Sequence, residues 1–247
     1  MRRVLITAGA SGIGAAVAQA FLDAGDRVAV CDVAQITNQG VVAFHCDMAV
    51  RAEVERMMAD AVAALGGLDV LVNNAGIAGP TAPVEEVEPS EWDRVVAVNI
   101  TAMFDTARLA IPHLKRSGNG TIVNMSSAAG RFGYPNRAPY AATKWAVVGF
   151  TKTLSIELGR FGITANSILP GSVDGARIRS VMAGRAEAAG ISLDEAIAQG
   201  FATQSLKRFI PPEDVAALIL FLASPHGRMI SGQALSIDGD MQRAGQG

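Results

Sequence analysis

Short apolar runs recur along the chain, and most end at glycine, aspartate, asparagine or serine. They predict buried strands over residues 2–7, 27–32, 41–45, 68–72, 120–125, 163–168 and 234–237. Between most of them the apolar positions shift to helical spacing. That predicts helices running to about residue 24, over residues 50–65, from Ser90 to about residue 114, from Tyr140 to about residue 159, over residues 175–200 and from Pro211 to residue 223. Ser90, with Asp93 three residues on, reads as a helix start, and residues 80–89 read as a loop. The strands are continuously apolar rather than alternating, which calls for a sheet covered on both faces. Strands alternating with helices predict an α/β fold with a doubly wound parallel sheet. No repeat, low-complexity linker or domain boundary interrupts the pattern, so residues 1–247 read as one domain.

Composition agrees with a well-buried chain: 50% of the 247 residues are hydrophobic and 18% are charged. The net charge of -2, with no polybasic tract, gives no reason to expect nucleic acid or an anionic membrane surface as partner. Cys31 and Cys46 lack metal-ligand spacing, and His45, His113 and His226 are scattered, so no metal site is expected. Two reduced thiols fit a cytoplasmic protein. Arg2-Arg3 precede an uncharged run, residues 4–22, that imitates a signal peptide or short membrane span. The run breaks at Gly9 into a short strand and an Ala-rich helix, so neither is expected. No other stretch reads as long and apolar enough to span a bilayer.

In doubly wound sheets, ligands bind beyond the carboxyl ends of the strands. The unusual residues of this chain fall there. Thr7-Ala8-Gly9-Ala10-Ser11-Gly12-Ile13-Gly14 lies between the first strand and its helix. Glycines allow a pyrophosphate close to the backbone, and the helix N-terminus offers free N–H groups and partial positive charge. Asp32 ends the second strand, where a carboxylate can accept both ribose hydroxyls of an adenosine and repels a 2′-phosphate. No Arg or Lys occurs over residues 33–50. NAD is therefore expected rather than NADP. Asp47 either caps the next helix or touches the adenine.

Tyr140 and Lys144 lie four residues apart on a predicted helix, so phenol and ammonium share one face with Cβ atoms roughly 6 Å apart. The ammonium favours ionisation of the phenol. Taken alone, the pair also describes a tyrosine beside a solvated lysine; its company decides the matter.

That company resembles the short-chain dehydrogenase/reductase family over nearly the whole chain. The resemblance rests on the glycine turn from Thr7 to Gly14, Asn73-Asn74-Ala75-Gly76, Ser126-Ser127, Tyr140-x-x-x-Lys144 and Pro170-Gly171, all in the family's order and approximate spacing. It implies a Rossmann-type domain with a seven-stranded parallel sheet, usually assembled as a homotetramer. It implies that Tyr140 is the general acid/base, that Lys144 supports it and binds the nicotinamide ribose, and that Ser127, rather than Ser126, hydrogen-bonds the substrate oxygen. Asn99 matches the asparagine that holds a water and relays protons to Lys144. The implied NAD-binding set is Gly9, Ser11, Gly12, Ile13, Gly14, Asp32, Asp47, Met48, Asn74, Ala75, Gly76, Tyr140, Lys144, Pro170, Gly171 and Val173. The activity implied is hydride transfer between NAD(H) and a secondary alcohol or ketone, such as a sugar or hydroxy acid; an aldehyde is also compatible. A non-catalytic NAD-binding sensor or scaffold is the other reading of such a fold, and the presence of Tyr140, Lys144 and Ser127 speaks against it.

Two departures concern the substrate end. Gly175 stands where the family often has a threonine contacting the carboxamide of the nicotinamide; the backbone N–H of Val173 is a partial substitute. Residues 172–208 correspond to a mobile substrate lid, and they carry Arg177, Arg179 and Arg185. Arginine suits bidentate carboxylate, sulfonate or phosphate recognition. An anionic small-molecule substrate held by Arg177 is therefore one expectation, with Arg131 and Arg137 as further candidates. A solvated amphipathic helix is the alternative.

Overall fold

The structure, a computed structural model, describes residues 1–243, apart from the side chains of Arg177, Arg185 and Ala188. Seven parallel strands form one sheet: β1 (Arg3–Thr7), β2 (Arg27–Asp32), β3 (Val42–His45), β4 (Val70–Asn73), β5 (Thr121–Met125), β6 (Thr164–Pro170) and β7 (Ala234–Ile237). Their order is β3-β2-β1-β4-β5-β6-β7, and every neighbouring pair is parallel. The chain moves outward from β1 to β3 and then returns to β4 on the other side of β1. This reversal opens a crevice at the carboxyl ends of β1 and β4, where such folds bind ligands.

Side chains alternate between the faces of each strand, so both faces must be covered. Leu5, Ala29, Leu71, Ile122 and Ala165 pack on one face against α2 (Arg51–Leu65), α4 (Ala102–Ser117) and α5 (Ala138–Leu158). Val4, Ile6, Val30, Val72 and Val123 pack on the other against α1 (Gly12–Asp23) and α8 (Pro212–Leu222). Residues 4–22 therefore form a central strand and a packed helix, as expected.

Several boundaries differ from the sequence reading. The helix expected from Ser90 begins one residue earlier, as α3 (Pro89–Val96), and Ser90 does not cap it; Glu88 occupies the N-cap without a side-chain bond. Pro89 starts the helix because its fixed φ suits the first turn and its missing N–H would have had no helical partner. The helix continues through a π segment, Ala97–Thr101, into α4 and stops where Gly118 turns left-handed. By length and apolar composition, Pro89–Ser117 is also long enough to cross a membrane, contrary to the sequence expectation; half of its most apolar window is buried inside this fold. The stretch over residues 175–200 is two helices, α6 (Ala176–Ala189) and α7 (Leu193–Gly200), separated at Gly190 with φ 63°. Tyr140 lies in the first turn of α5 rather than opening it, because Pro139 sits at the helix start. Strand β6 includes Pro170, which ends the pairing with β7.

Candidate active site

The crevice leads into a cavity of about 1120 Å³ that runs from the glycine turn to helices α6 and α7. Ala8, Ser11, Gly12, Ile13 and Asp32 line one end. Gly12 adopts φ 54° and a Cβ there would meet open space, so its positive φ, rather than crowding, favours glycine. Gly9 and Gly14 are needed for the opposite reason. A Cβ on Gly9 would overlap Val30, and one on Gly14 would overlap the Ala8 carbonyl and approach Asn74 Nδ2 to 2.7 Å. These two glycines let the turn pack; Ser11, Gly12 and Ile13 form the surface.

Asp32 also lines this end, and its carboxylate accepts backbone N–H groups from Ala10 at 2.9 Å and Ala34 at 3.0 Å. Each oxygen retains a lone pair, so the carboxylate is oriented and still able to accept further hydrogen bonds. Asn74 ties the two sides of the crevice together. Its backbone N–H donates to Thr7 Oγ1 at 3.0 Å, and its side-chain amide donates to the carbonyls of Thr7 and Ala8 at 3.1 and 2.9 Å. Ala75 is buried and donates its N–H to the same Thr7 hydroxyl.

Asp47 and Met48 are not part of the lining. Asp47 accepts the Ala49 N–H at 2.9 Å and pairs with Arg94 at 3.1 Å. It closes a local turn, while the N-cap of α2 is Val50. The Ala49 N–H, followed by the Arg94 guanidinium, holds the Asp47 carboxyl below the usual carboxylate range. Met48 is buried, with its Sδ 3.9 Å from Cys31 Sγ and 3.8 Å from Cys46 Sγ.

Beyond Gly76 the cavity wall carries Ser127, Tyr140 and Lys144. Lys144 is buried; its Nζ donates to the Met125 carbonyl at 2.9 Å and lies 5.5 Å from the Tyr140 ring centre. Ser126 is buried and its hydroxyl donates to the Lys144 carbonyl at 2.7 Å. Ser127 caps a short 3₁₀ turn, with its oxygen accepting from Ala129 N–H at 3.2 Å, so its O–H remains for a ligand. The tertiary contacts thus separate two adjacent serines that are chemically identical in sequence.

Asn99 is fully buried inside the π segment. Its amide accepts the Ile77 N–H at 2.8 Å and donates to the Ile77 carbonyl at 3.0 Å and to Thr143 Oγ1 at 3.1 Å. Asn99 and Lys144 flank Gly76, where a Cβ would lie 3.1 Å from Lys144 Nζ and 3.4 Å from Asn99 Oδ1. Gly130 is equally constrained: a Cβ would overlap Ser126 Oγ and come within 2.6 Å of the Lys144 carbonyl. The sequence reading missed Gly130 and Thr143, and named Thr7 only as the first residue of the glycine turn. Thr7 was signalled weakly, as a hydroxyl at the end of an apolar strand, because a buried hydroxyl needs a partner.

Pro170, Gly171 and Val173 line the cavity just before α6. Gly175 has φ 151° and open space around it, and its N–H donates to its neighbour Asp174 at 2.8 Å. The segment that follows contributes Ile178, Val181 and Met182 from α6, Ile191 between the helices and Ala196 from α7. Arg179 is paired with Asp174 at 2.8 Å. Arg131 turns toward Ser236 and the Met241 carbonyl, both at 3.1 Å. The side chain of Arg177 lies outside the described residues. The positions that face the cavity suit an extended dinucleotide: an N–H-rich turn and a carboxylate at one end, hydroxyls and an ammonium at the other.

A family model described as enoyl-(acyl carrier protein) reductase matches residues 7–242. The chain is 35% identical to a D-beta-hydroxybutyrate dehydrogenase of Cupriavidus necator, over 96% of each protein. Among solved structures it is similar to the ligand-free aldohexose dehydrogenase of Thermoplasma acidophilum, with a TM-score of 0.89, 28% identity and coverage of 96% of this chain and 92% of that one. It is also similar to a single-residue variant of the actinorhodin polyketide ketoreductase solved with NADPH, with a TM-score of 0.88, 34% identity and coverage of 96% and 95%. The chain belongs to the short-chain dehydrogenase/reductase family and is an oxidoreductase that transfers a hydride between a nicotinamide cofactor and an alcohol or ketone.

Proposed function

We propose that the coenzyme is NAD and that Tyr140, Ser127 and Lys144 carry the proton chemistry. The observation behind this reading is the cavity itself: Asp32 stands at one end and Ser127, Tyr140 and Lys144 at the other. Among the described residues no lysine or arginine lines the end near Asp32. A 2′-phosphate there meets a carboxylate without a compensating cation, which disfavours NADP.

The bound nicotinamide supplies or accepts the hydride. Tyr140 takes the hydroxyl proton of the alcohol during oxidation and returns it during reduction. Ser127 donates its free O–H to the same substrate oxygen. Lys144, held by the Met125 carbonyl, keeps a positive charge near the phenol and favours the charge that develops on it. The lid closes the far side with apolar side chains. Asn99 fixes Ile77 and Thr143, and so positions the wall on which Lys144 sits.

The exposed apolar side chains Phe104 on α4 and Trp145 and Ile156 on α5 support assembly of these helices between copies, and we read the protein as a homotetramer. Free, buried Cys31 and Cys46 support a reducing, cytoplasmic setting. Light scattering on the eluting protein then gives four chains.

The central test pairs two measurements. NAD exceeds NADP in kcat/KM by at least about tenfold, and Asp32→Ser narrows that ratio. Tyr140→Phe retains NADH binding by fluorescence while turnover falls by about 100-fold or more. Equal use of both coenzymes sinks the NAD assignment, and an active Tyr140→Phe sinks the role of Tyr140.

A further inference from the structure

We infer that Arg137 is the substrate's anion-binding residue and that the substrate is a hydroxy acid, or the matching oxo acid, with an apolar body. This rests on the proposed role of Tyr140 as the proton-exchanging group. Arg137 occupies the N-cap of α5, one helical turn before Tyr140, and it lines the cavity. Its guanidinium carbon lies 5.7 Å from the Tyr140 ring centre and 5.8 Å from that of Tyr134.

The side chain is oriented but electrostatically unfinished. Nη1 donates to Thr81 Oγ1 at 2.6 Å, and the aromatic rings restrict the guanidinium. The loop that carries it is tied back by the Ala82 N–H, which donates to the Asn136 carbonyl at 3.0 Å. Nε is buried without a hydrogen-bond partner. Nη2 makes no hydrogen bond to the described residues, and none of their carboxylates comes within the range of an ion pair.

That is uncommon for a half-buried arginine, because burying an unpaired charge is costly. Arg131 and Arg179, neither of which lines the cavity, show the contrast. Arg179 has Asp174, and Arg131 has Ser236, the Met241 carbonyl and, at 3.9 Å, Asp238.

Guanidinium geometry matches a carboxylate, which can accept two parallel N–H bonds. Its closeness to Tyr140 sets the acid group within a few bonds of the carbon bearing the reacting oxygen. The remainder of the substrate meets Ile178, Val181, Met182 and Ile191, which favours an apolar rather than a polyhydroxylated body. No bond of the acid group changes in the reaction; the carboxylate serves as a handle.

The test uses the full-length protein with NAD and a panel of short 2- and 3-hydroxy acids, each beside its methyl ester. For the best acid, kcat/KM exceeds that of its ester by at least about tenfold, within the range of a charge-assisted hydrogen bond. Arg137→Gln collapses that ratio, chiefly by raising KM for the acid, and Arg137→Lys retains part of it. Arg131→Gln keeps the wild-type ratio. Esters used as well as acids across the panel, or an unchanged ratio in Arg137→Gln, overturn the inference.

Calorimetry supplies a reading independent of turnover. Short alkanoates bind the NADH-loaded wild type more tightly than their amides, and Arg137→Gln loses that preference; equal affinities also overturn the inference. If the NAD assignment fails instead, the acid-to-ester ratio is measured with NADP. If Tyr140→Phe stays active, the alkanoate binding still decides the role of Arg137.

Discussion

The Ser126 hydroxyl donates to the carbonyl oxygen of Lys144 at 2.7 Å, which binds the end of β5 to the second turn of α5. Gly130 permits this approach, because any side chain there would occupy the space of both groups. Lys144 returns the contact by donating from Nζ to the Met125 carbonyl. The two bonds hold the ammonium at the cavity wall from both ends of its residue.

Gly130→Ala therefore forces β5 and α5 apart. Overpacking of this kind costs about 1–3 kcal/mol, and the displaced Lys144 lowers kcat as well. Urea unfolding and steady-state rates check the pair of effects. A variant as stable and as active as the wild type refutes this account of the glycine.

Ser126→Ala and Ser127→Ala separate two roles. The first removes the bond to the Lys144 carbonyl, which keeps its helical partner within α5, and costs about 0.5–1.5 kcal/mol of stability. The second leaves stability nearly unchanged and lowers kcat by about 100-fold, with coenzyme affinity retained. Thermal melts beside turnover numbers decide it, and the reverse pattern would exchange the assignments.

Asn99→Leu strips partners from both backbone groups of Ile77 and from Thr143. A loss of about 2–4 kcal/mol follows, because the N–H and carbonyl of Ile77 both lose their side-chain partner, while Thr143 keeps its bond to the Tyr140 carbonyl. Denaturant titration measures it. A near-neutral result means that the π segment does not depend on the amide.

Asp47 contributes stability on the acid side. Its carboxyl lies below its ordinary value in the folded chain, first through the Ala49 N–H and then through Arg94. That contribution is fully present above the unfolded value, about pH 4, and fades as pH falls through the lowered folded value. Asp47→Asn is accordingly less stable than wild type at pH 7, and the gap closes toward pH 3. Its NAD affinity matches wild type if Asp47 serves the turn; a several-fold loss would return Asp47 to the coenzyme site.

Phe21→Ala tests the layer between α1 and α8, at the end of α1 remote from the glycine turn. Phe21 is fully buried among Val17, Ile219 and their neighbours between α1 and α8. Truncation costs about 3–5 kcal/mol. A loss below about 1 kcal/mol in urea unfolding would mean that this layer collapses to fill the gap.

Much of this molecule was legible in one dimension. Continuous apolar strands alternating with helices determined a parallel, doubly covered sheet, because each face must be buried. The glycine turn, Asp32 and the Tyr140–Lys144 spacing marked the strand ends where the cavity opens. These are local properties, set by the periods of helix and strand. The preference for Ser127 over Ser126 was already implied by the family spacing; the tertiary structure added the reason, the bond that ties the Ser126 hydroxyl to the Lys144 carbonyl. It also directed Asp47 toward Arg94 and left Arg137 without a carboxylate among the described residues. Those outcomes depend on contacts between residues far apart in the chain, such as Arg137 with Thr81 and Lys144 with Met125. Side-chain direction inside a packed fold is set by such contacts, and sequence spacing does not encode it.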